Sequence, residues 1–236
     1  MKFLRFTSLG IILGFLITQF SFKASAHDDG WSTRTYEIAG FTKLHLEGGY
    51  RVYLTQGSQP SLKVKASDED AFDYLEVDND SESLRLSISK SRYNFDRLTL
   101  YITFTTLEEL SIEGGVRLKT NGYIDVGDLD IHVEGGAKLE IEMKANHVKA
   151  VGVGGVFFEF EGVAESLDAK VSGAGHLDAS ELKAKNVSFT IEGVGTGSVY
   201  ATDELHANIE GVGKIKYRGN PKVYKNIDGI GTISGD

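Results

Sequence analysis

Short segments of alternating apolar and polar residues recur about every twenty residues in the second half of the chain. Seven glycines mark the recurrence at steps of 18 to 21 residues: Gly114, Gly135, Gly154, Gly173, Gly193, Gly211 and Gly229. Ahead of the last six, apolar residues fall mostly two, four and six positions upstream. A period of two with one apolar face is typical of a half-buried strand. Its repetition predicts a stack of equivalent strands.

A second alternating segment follows each glycine, as in Leu139, Ile141 and Met143. Twenty residues at about 3.3 Å each give a contour of roughly 66 Å per repeat. That length suits one coil of a parallel β-helix, whereas a propeller blade needs about twice as much. The repeats over residues 107–236 therefore predict an all-β solenoid, a parallel β-helix, whose glycines sit at the turns. Two columns of buried residues are expected. The first contains Leu167, Val187, Leu205 and Val223, and the second, beside it, contains Ala150, Ala169, Phe189 and Ala207.

Residues 32–106 are rich in strand signals but do not repeat. Five strands are predicted, over 42–47, 50–55, 62–66, 84–89 and 98–104. A short helix is predicted from Asp68 to Leu75, with Ser67 or Asp68 as its N-cap. Glu47-Gly48-Gly49 is similar to the later turns, so part of this region is expected either to join the solenoid or to cap it. Residues 32–236 are expected to form one continuous domain.

The N-terminus has the order of a secretory signal peptide. Lys2 and Arg5 precede an apolar stretch from Leu9 to Ile17, and Ala24-Ser25-Ala26 supplies small residues for cleavage after Ala26. An uncleaved membrane anchor is the alternative, although the apolar core is shorter than the roughly 20 residues that span a bilayer. We therefore expect residues 1–26 to be removed and the protein to be exported, to the periplasm or the outer cell surface.

The charge balance argues against nucleic acids and anionic membranes as partners. The formal net charge is −9, and it becomes more negative on removal of residues 1–26, which carry only basic charges. This acidity makes a nucleic acid or an anionic membrane an unfavourable partner for the chain as a whole. There is no cysteine, so disulfides and lipid attachment through an N-terminal cysteine are excluded.

Several turns resemble those of a known family. They have the sequences Glu-Gly-Gly, at residues 113–115 and 134–136, and Glu-Gly-Val-Gly, at residues 192–195 and 210–213. Together with the run from Ala39-Gly40-Phe41 to Gln56-Gly57, they make the chain similar to the auto-transporter adhesin head GIN domain of Gram-negative bacteria. The resemblance covers roughly residues 36–225. It implies a single-stranded right-handed β-helix with an N-terminal β portion and a role in adhesion, and it supplies no catalytic residues.

Candidate chemistry in the sequence is sparse. The β-helix enzymes that cleave acidic polysaccharides need clustered carboxylates beside a base, whereas acidic and basic residues here alternate. The histidines, at 27, 45, 132, 147, 176 and 206, lack two-ligand spacing. We therefore predict no catalytic residues, no cofactor and no enzyme activity. A polysaccharide lyase or hydrolase remains the alternative.

Two candidate sites follow from the repeat. Glu192, Glu210 and Asp228 precede equivalent glycines, and stacked carboxylates there would repel one another or hold a cation such as Ca²⁺. Solvated acids splayed apart are the plainer interpretation. Val151, Val153 and Phe157 occupy positions that are polar one repeat earlier, so they are expected to form an outward apolar patch that binds a protein or glycan partner. A slip in register or coverage by residues 32–106 would bury them instead.

Lys225 falls where the second core column calls for an apolar residue. A charged side chain at the last repeat would deter end-to-end pairing of exposed strand edges. The sequence therefore predicts a protein that is mainly monomeric.

Overall fold

The computed structural model describes residues 30–88 and 98–236, and within them the regular structure is β-strand apart from one short 3₁₀ helix. The strands are β1 (Ser32–Tyr36), β2 (Lys43–Gly48), β3 (Arg51–Gln56), β4 (Ser61–Ala66), β5 (Leu75–Asn79), β6 (Ser83–Ile88), β7 (Leu98–Phe104), β8 (Glu109–Gly114), β9 (Arg117–Thr120), β10 (Ile124–Asp125), β11 (Asp128–Gly135), β12 (Lys138–Arg218) and β13 (Lys222–Gly235). The predicted all-β class is confirmed. The predicted signal peptide lies outside the described residues.

The strands form one mixed sheet in the order β1-β4-β7-β3-β9-β12-β11-β8-β2-β6-β5, with β10 and β13 also paired to β12. Antiparallel pairs occur only toward the N-terminus within the described residues, between β1 and β4, β4 and β7, and β5 and β6. Strands from β8 onward pair in parallel. No helix of residues 30–88 or 98–236 has the length and apolar character needed to cross a membrane.

The parallel pairing follows the spacing of the glycines. Gly135 of β11 lies opposite Gly114 of β8 on one side and Gly154 of β12 on the other. Gly229 of β13 lies opposite Gly211 of β12. Equivalent residues of consecutive repeats are therefore neighbours across the sheet, and each row of equivalent positions runs perpendicular to the strands.

The turn glycines are required by backbone conformation and by space. All seven have φ between +99° and +139°, a region that residues with a Cβ atom rarely adopt. A Cβ placed on Gly193 would also lie 2.6 Å from the carbonyl oxygen of Gly173. These glycines have the positive φ that the sequence predicted for them.

Strands of the N-terminal region continue the pairing of the repeats, and further strands pair beyond them. β2 pairs in parallel with β8 and β3 with β9, and Gly48 lies opposite Gly114 with φ of +125°. On their other edges β2 pairs with β6 and β3 with β7. Antiparallel β4, β1 and β5 then complete this end. The five predicted strands are present within one or two residues, except that residue 89 lies outside the described part. The division at residues 106 and 107 stays a prediction.

The predicted helix is shorter than expected and is not an α-helix. A 3₁₀ helix covers Glu69–Asp73, and Asp68 caps it by accepting a hydrogen bond from the Asp70 backbone N–H through its carboxylate. The turn ends before Leu75 because that residue begins β5, whose pairing with β6 requires extended backbone. Strand β1 was not predicted, because its side chains are mostly exposed and show no apolar alternation. Strand β5 was not predicted either, although Leu75 and Val77 alternate with exposed Glu76 and Asp78.

The core consists of the inward rows of the repeats. Leu167, Val187 and Leu205 are buried, and Val223, opposite Leu205, packs against them half-buried. All four residues of the neighbouring predicted column, Ala150, Ala169, Phe189 and Ala207, are buried. Large rings in the core pack against glycines. A Cβ atom on Gly152 would lie 3.0 Å from the Cε2 atom of Phe158, so the Phe158 ring occupies the space that a side chain there would need. Such complementarity is typical of a closely packed, narrow core.

Gly193→Ala should destabilise the protein, whereas Gly136→Ala should not. A Cβ at Gly193 combines strained backbone with a contact to Gly173, which together cost about 3 kcal/mol. Gly136 has ordinary φ and nothing within 4 Å of a Cβ, so alanine there should change the free energy of unfolding by less than about 1 kcal/mol. Urea unfolding of the two variants measures the difference. Equal losses of stability would contradict the stacking of the turn glycines.

Candidate binding groove

An apolar groove runs along the turn edge of the last repeats. Its volume is about 860 Å³, and it lies over β12 and β13. Three parallel rows line it, one from each of three successive positions after the turn glycines. The first row is Ala174, Val194, Val212 and Ile230, the second is Gly175, Gly195, Gly213 and Gly231, and the third is His176, Thr196, Lys214 and Thr232.

The first row forms an apolar wall. Its residues directly follow glycines of positive φ, and this turn directs their side chains outward. Val194, Val212 and Ile230 are 61%, 48% and 74% exposed. Val212 lies opposite Ile230 in the sheet, so the wall is continuous from one repeat to the next. Side chains of this kind gain free energy when a partner removes them from water.

The second row is a floor of bare backbone. A Cβ on Gly195 would lie 3.0 Å from both the Gly175 carbonyl oxygen and the Ile191 Cγ2 atom. Ile191 is itself buried in the core. Core side chains therefore fill the space beneath the floor, and glycine is the residue that fits above them.

The third row forms a polar wall. A ring nitrogen of His176, Nδ1, lies 2.7 Å from Thr196 Oγ1 in the next repeat. Lys214 lies opposite Thr232. Phe157 closes this row at the N-terminal end of the groove, where its ring stacks on His176 with centroids 4.6 Å apart. A ligand in the groove would meet apolar groups on one side and hydrogen-bonding groups on the other.

The structure separates the three residues of the predicted apolar patch. Val153 and Phe157 are 43% and 38% exposed, and Val151 is half-buried. Within the described part of the chain, residues 32–88 and 98–106 leave Val153 and Phe157 exposed. Phe157 lines the groove, whereas Val151 and Val153 lie before the turn at Gly154, opposite His132 and Glu134. A role for these three residues in binding stays a prediction.

Two residues of the predicted cation column are neighbours in the sheet, and the third, Glu192, is paired with other side chains. Glu210 lies opposite Asp228, but Glu192 places one carboxylate oxygen 2.6 Å from Lys170 Nζ and accepts a hydrogen bond from Ser172 through the other. These hydrogen bonds, that from Lys170 first, lower the pKa of Glu192. In the described part of the chain, no three metal-binding side chains form a group that could hold an ion. Calcium binding in this column stays a prediction.

A charged network adjoins the groove beyond Phe157. Lys138 Nζ lies 5.3 Å from the centroid of the Phe157 ring and 2.5 Å from Glu140. Lys119 binds the second carboxylate oxygen of Glu140 at 2.9 Å. Hydrogen bonds from Lys138 and then Lys119 lower the pKa of Glu140, so this carboxylate is ionised at neutral pH.

Among the described residues, the lining of the groove contains one histidine and one lysine but no carboxylate. These residues do not supply the pair of acids that glycoside cleavage requires. Of the residues that line the groove, Phe157 was predicted from the sequence and the apolar wall was not. The signal was present in the turns Gly-Val-Gly at 193–195 and 211–213 and Gly-Ile-Gly at 229–231.

Comparisons with known proteins agree with this architecture. No curated protein matches the chain. A structure from Bacteroides fragilis, described as a putative adhesin, is 26% identical with a TM-score of 0.82, covering 89% of this chain and 98% of that one. A second from Parabacteroides merdae, also described as a putative adhesin, is 20% identical with a TM-score of 0.68 and covers 89% and 97%.

A third similar structure, from Parabacteroides distasonis, is described as a putative lipid binding protein. It is 24% identical with a TM-score of 0.68 and covers 89% of this chain and 98% of that one. These two more distant likenesses show the fold alone. The sequence profile of one family matches residues 40–221, most of the chain. The protein therefore belongs to the family described as "Putative auto-transporter adhesin, head GIN domain".

Proposed function

We propose that this protein is an exported, non-enzymatic binding module that holds a partner protein on the outer face of a right-handed parallel β-helix. The β-helix is supported by parallel pairing at the period of the turn glycines and by the right-handed connection usual between parallel strands. Export is supported by the signal-peptide pattern and by membership of an adhesin family.

The observation that carries the proposal is the exposed apolar wall of the groove. Val194, Val212 and Ile230 are exposed side by side, although isolated apolar side chains are the rule on protein surfaces. Several adjacent ones, with a polar wall opposite, are typical of a surface that a partner covers.

The shape of the groove favours an extended peptide segment as its occupant. The four repeats are about 4.8 Å apart, so the first and the last are separated by roughly 14 Å. An extended segment of about five residues spans that length. Its apolar side chains would contact Val194 and Val212, and its backbone groups would reach Thr196 and His176 on the other wall.

Replacing the wall should abolish adhesion without unfolding the protein. Beads coated with the mature protein should adhere to bacterial or animal cells, and Val194→Ser with Val212→Ser should reduce adhesion by at least tenfold. Each substitution forfeits about 1.4 kcal/mol of apolar burial, a tenfold change in affinity. Val163, 43% exposed but outside the groove, provides the control substitution Val163→Ser.

The proposal would be refuted if the groove variant adhered as well as the wild type. It would also be refuted if beads coated with the wild type adhered no better than beads coated with albumin. The competing enzymatic function has its own readout. Release of soluble sugar ends from an acidic polysaccharide by the purified protein would establish a lyase or hydrolase instead.

The protein is further proposed to be mainly monomeric because Lys225 covers the end of the core. Its Nζ donates a hydrogen bond to the Ile233 carbonyl at 2.9 Å and lies 5.4 Å from the centre of the Tyr217 ring. Two such ends cannot meet without burying two ammonium groups. Light scattering should give a monomer for the wild type and self-association for Lys225→Val. A stable wild-type dimer that is lost on removing the residues after Tyr217 would contradict this assignment.

A further inference from the structure

A concentrated positive patch lies on the outer face of the sheet, beyond the end of the groove that Phe157 closes. The strands β4, β7, β3 and β9 are consecutive neighbours there. Their outward positions carry basic, tyrosine, threonine and serine side chains and no acid. The basic residues are Arg51, Lys63, Lys65, Arg117 and Lys119.

The sheet register brings these residues together from distant parts of the sequence. Arg51 lies opposite Arg117, and Arg117 lies opposite Lys138 in the next repeat. On the other side Lys63 lies opposite Tyr101, which lies opposite Tyr53. Neighbouring strands are about 4.8 Å apart, so the patch extends over roughly 15 to 20 Å. A chain with a net charge of −9 therefore concentrates positive charge on one surface.

Most of this charge is not neutralised. Glu140 pairs with Lys119 and Lys138 at the border of the patch. Within residues 30–88 and 98–236, no carboxylate lies at ion-pair distance from Lys63, Lys65 or Arg117. The positive field is therefore directed at solvent, where it can attract an anionic ligand.

Two stacked tyrosines stand in the middle of the patch. The rings of Tyr53 and Tyr101 are 5.3 Å apart between centroids and 17° from parallel. Lys63 Nζ lies 5.9 Å from the centroid of Tyr101. Tyr53 therefore covers one face of the Tyr101 ring, and Lys63 lies beside that ring. The hydroxyl group of Tyr101 is then the part of the ring best placed to contact a ligand.

We infer that this patch binds an anionic polysaccharide through its carboxylate or sulfate groups. The lysines and Arg117 supply ion pairs, and the tyrosine and threonine hydroxyls supply hydrogen bonds to sugar hydroxyls. Single-stranded nucleic acid needs open aromatic faces on which bases stack, whereas Tyr53 and Tyr101 each cover one face of the other. An anionic membrane surface favours basic residues interleaved with exposed large apolar ones, whereas the apolar residues of these strands point into the core.

The inference is tested with defined polymers. Binding of the mature protein to polygalacturonate, dextran sulfate and neutral dextran is measured by biolayer interferometry at 50 mM and 300 mM salt. We expect binding to one or both anionic polymers, none to neutral dextran, and at least tenfold weakening at the higher salt. The two anionic polymers distinguish carboxylate from sulfate as the recognised group.

Matched variants locate the site. Lys63→Gln with Lys65→Gln should weaken binding at least tenfold. Lys183→Gln with Lys185→Gln makes the same change in net charge at the same spacing on an outward face of β12, and it should leave binding unchanged. Arg117→Gln alone should weaken binding severalfold. Circular dichroism and urea unfolding confirm that each variant is folded.

Three outcomes would overturn the inference. They are absence of binding to both anionic polymers, equal weakening by the Lys183 and Lys185 substitutions, and binding of a single-stranded oligonucleotide or of phosphatidylglycerol vesicles as tight as that of the polysaccharides. The groove variant with serine at positions 194 and 212 should retain polysaccharide binding. Failure here is therefore distinguishable from failure of the adhesion proposal.

Discussion

The contact between glycine backbones at each turn is the constraint on which the rest of the structure depends. A Cβ on Gly154 would lie 2.5 Å from the Gly135 carbonyl oxygen, and one on Gly135 would lie 2.7 Å from that of Gly114. Neighbouring repeats therefore reach the spacing of a sheet at this edge because no side chain separates them. The positive φ of the same residues turns the chain, so one residue type satisfies both the conformational and the spatial requirement.

This constraint also explains where the groove begins. Two residues after the turn glycine, the earlier repeats have Ala137 and Val156, whose side chains are buried. At the equivalent position the later repeats have glycines, from Gly175 onward, and core side chains such as Val171 and Ile191 take up the space beneath them. The surface above is then bare backbone flanked by outward valines. The groove is thus a consequence of changing one inward row from side chains to glycine.

Local patterns in the sequence were sufficient for the repeat but not for the arrangement of its N-terminal end. The period of the glycines and the alternation before them are local, so the strands and turns from Glu109 onward were predictable. The pairing of β2 with β8 joins segments separated by more than sixty residues, which no local pattern reports. Asp68 is one of the two N-cap residues that the sequence predicted, but a capping residue of this kind also fits the start of a 3₁₀ turn.

The candidate surfaces also differ in how far they could be predicted from the sequence. Phe157 could be found because it breaks a polar row, and the apolar wall was visible in retrospect as Gly-Val-Gly turns. The positive patch could not be found, because Lys63, Tyr101 and Arg117 become neighbours only through the register of four strands. Net charge concealed it further, since an acidic chain gives no indication of a local excess of basic residues.

The in-register stacking of repeats is most directly tested by disulfide formation between engineered cysteines, since the chain has none of its own. Asn208 contacts Thr190 across neighbouring repeats. Thr190→Cys with Asn208→Cys should therefore form an intramolecular disulfide, because adjacent strands place Cα atoms within the 4.4–6.8 Å that the bond requires. Thr190→Cys with His206→Cys, displaced by two residues, should remain reduced under the same mild oxidation. Equal oxidation of both pairs, or oxidation of the displaced pair alone, would contradict the stacked repeats.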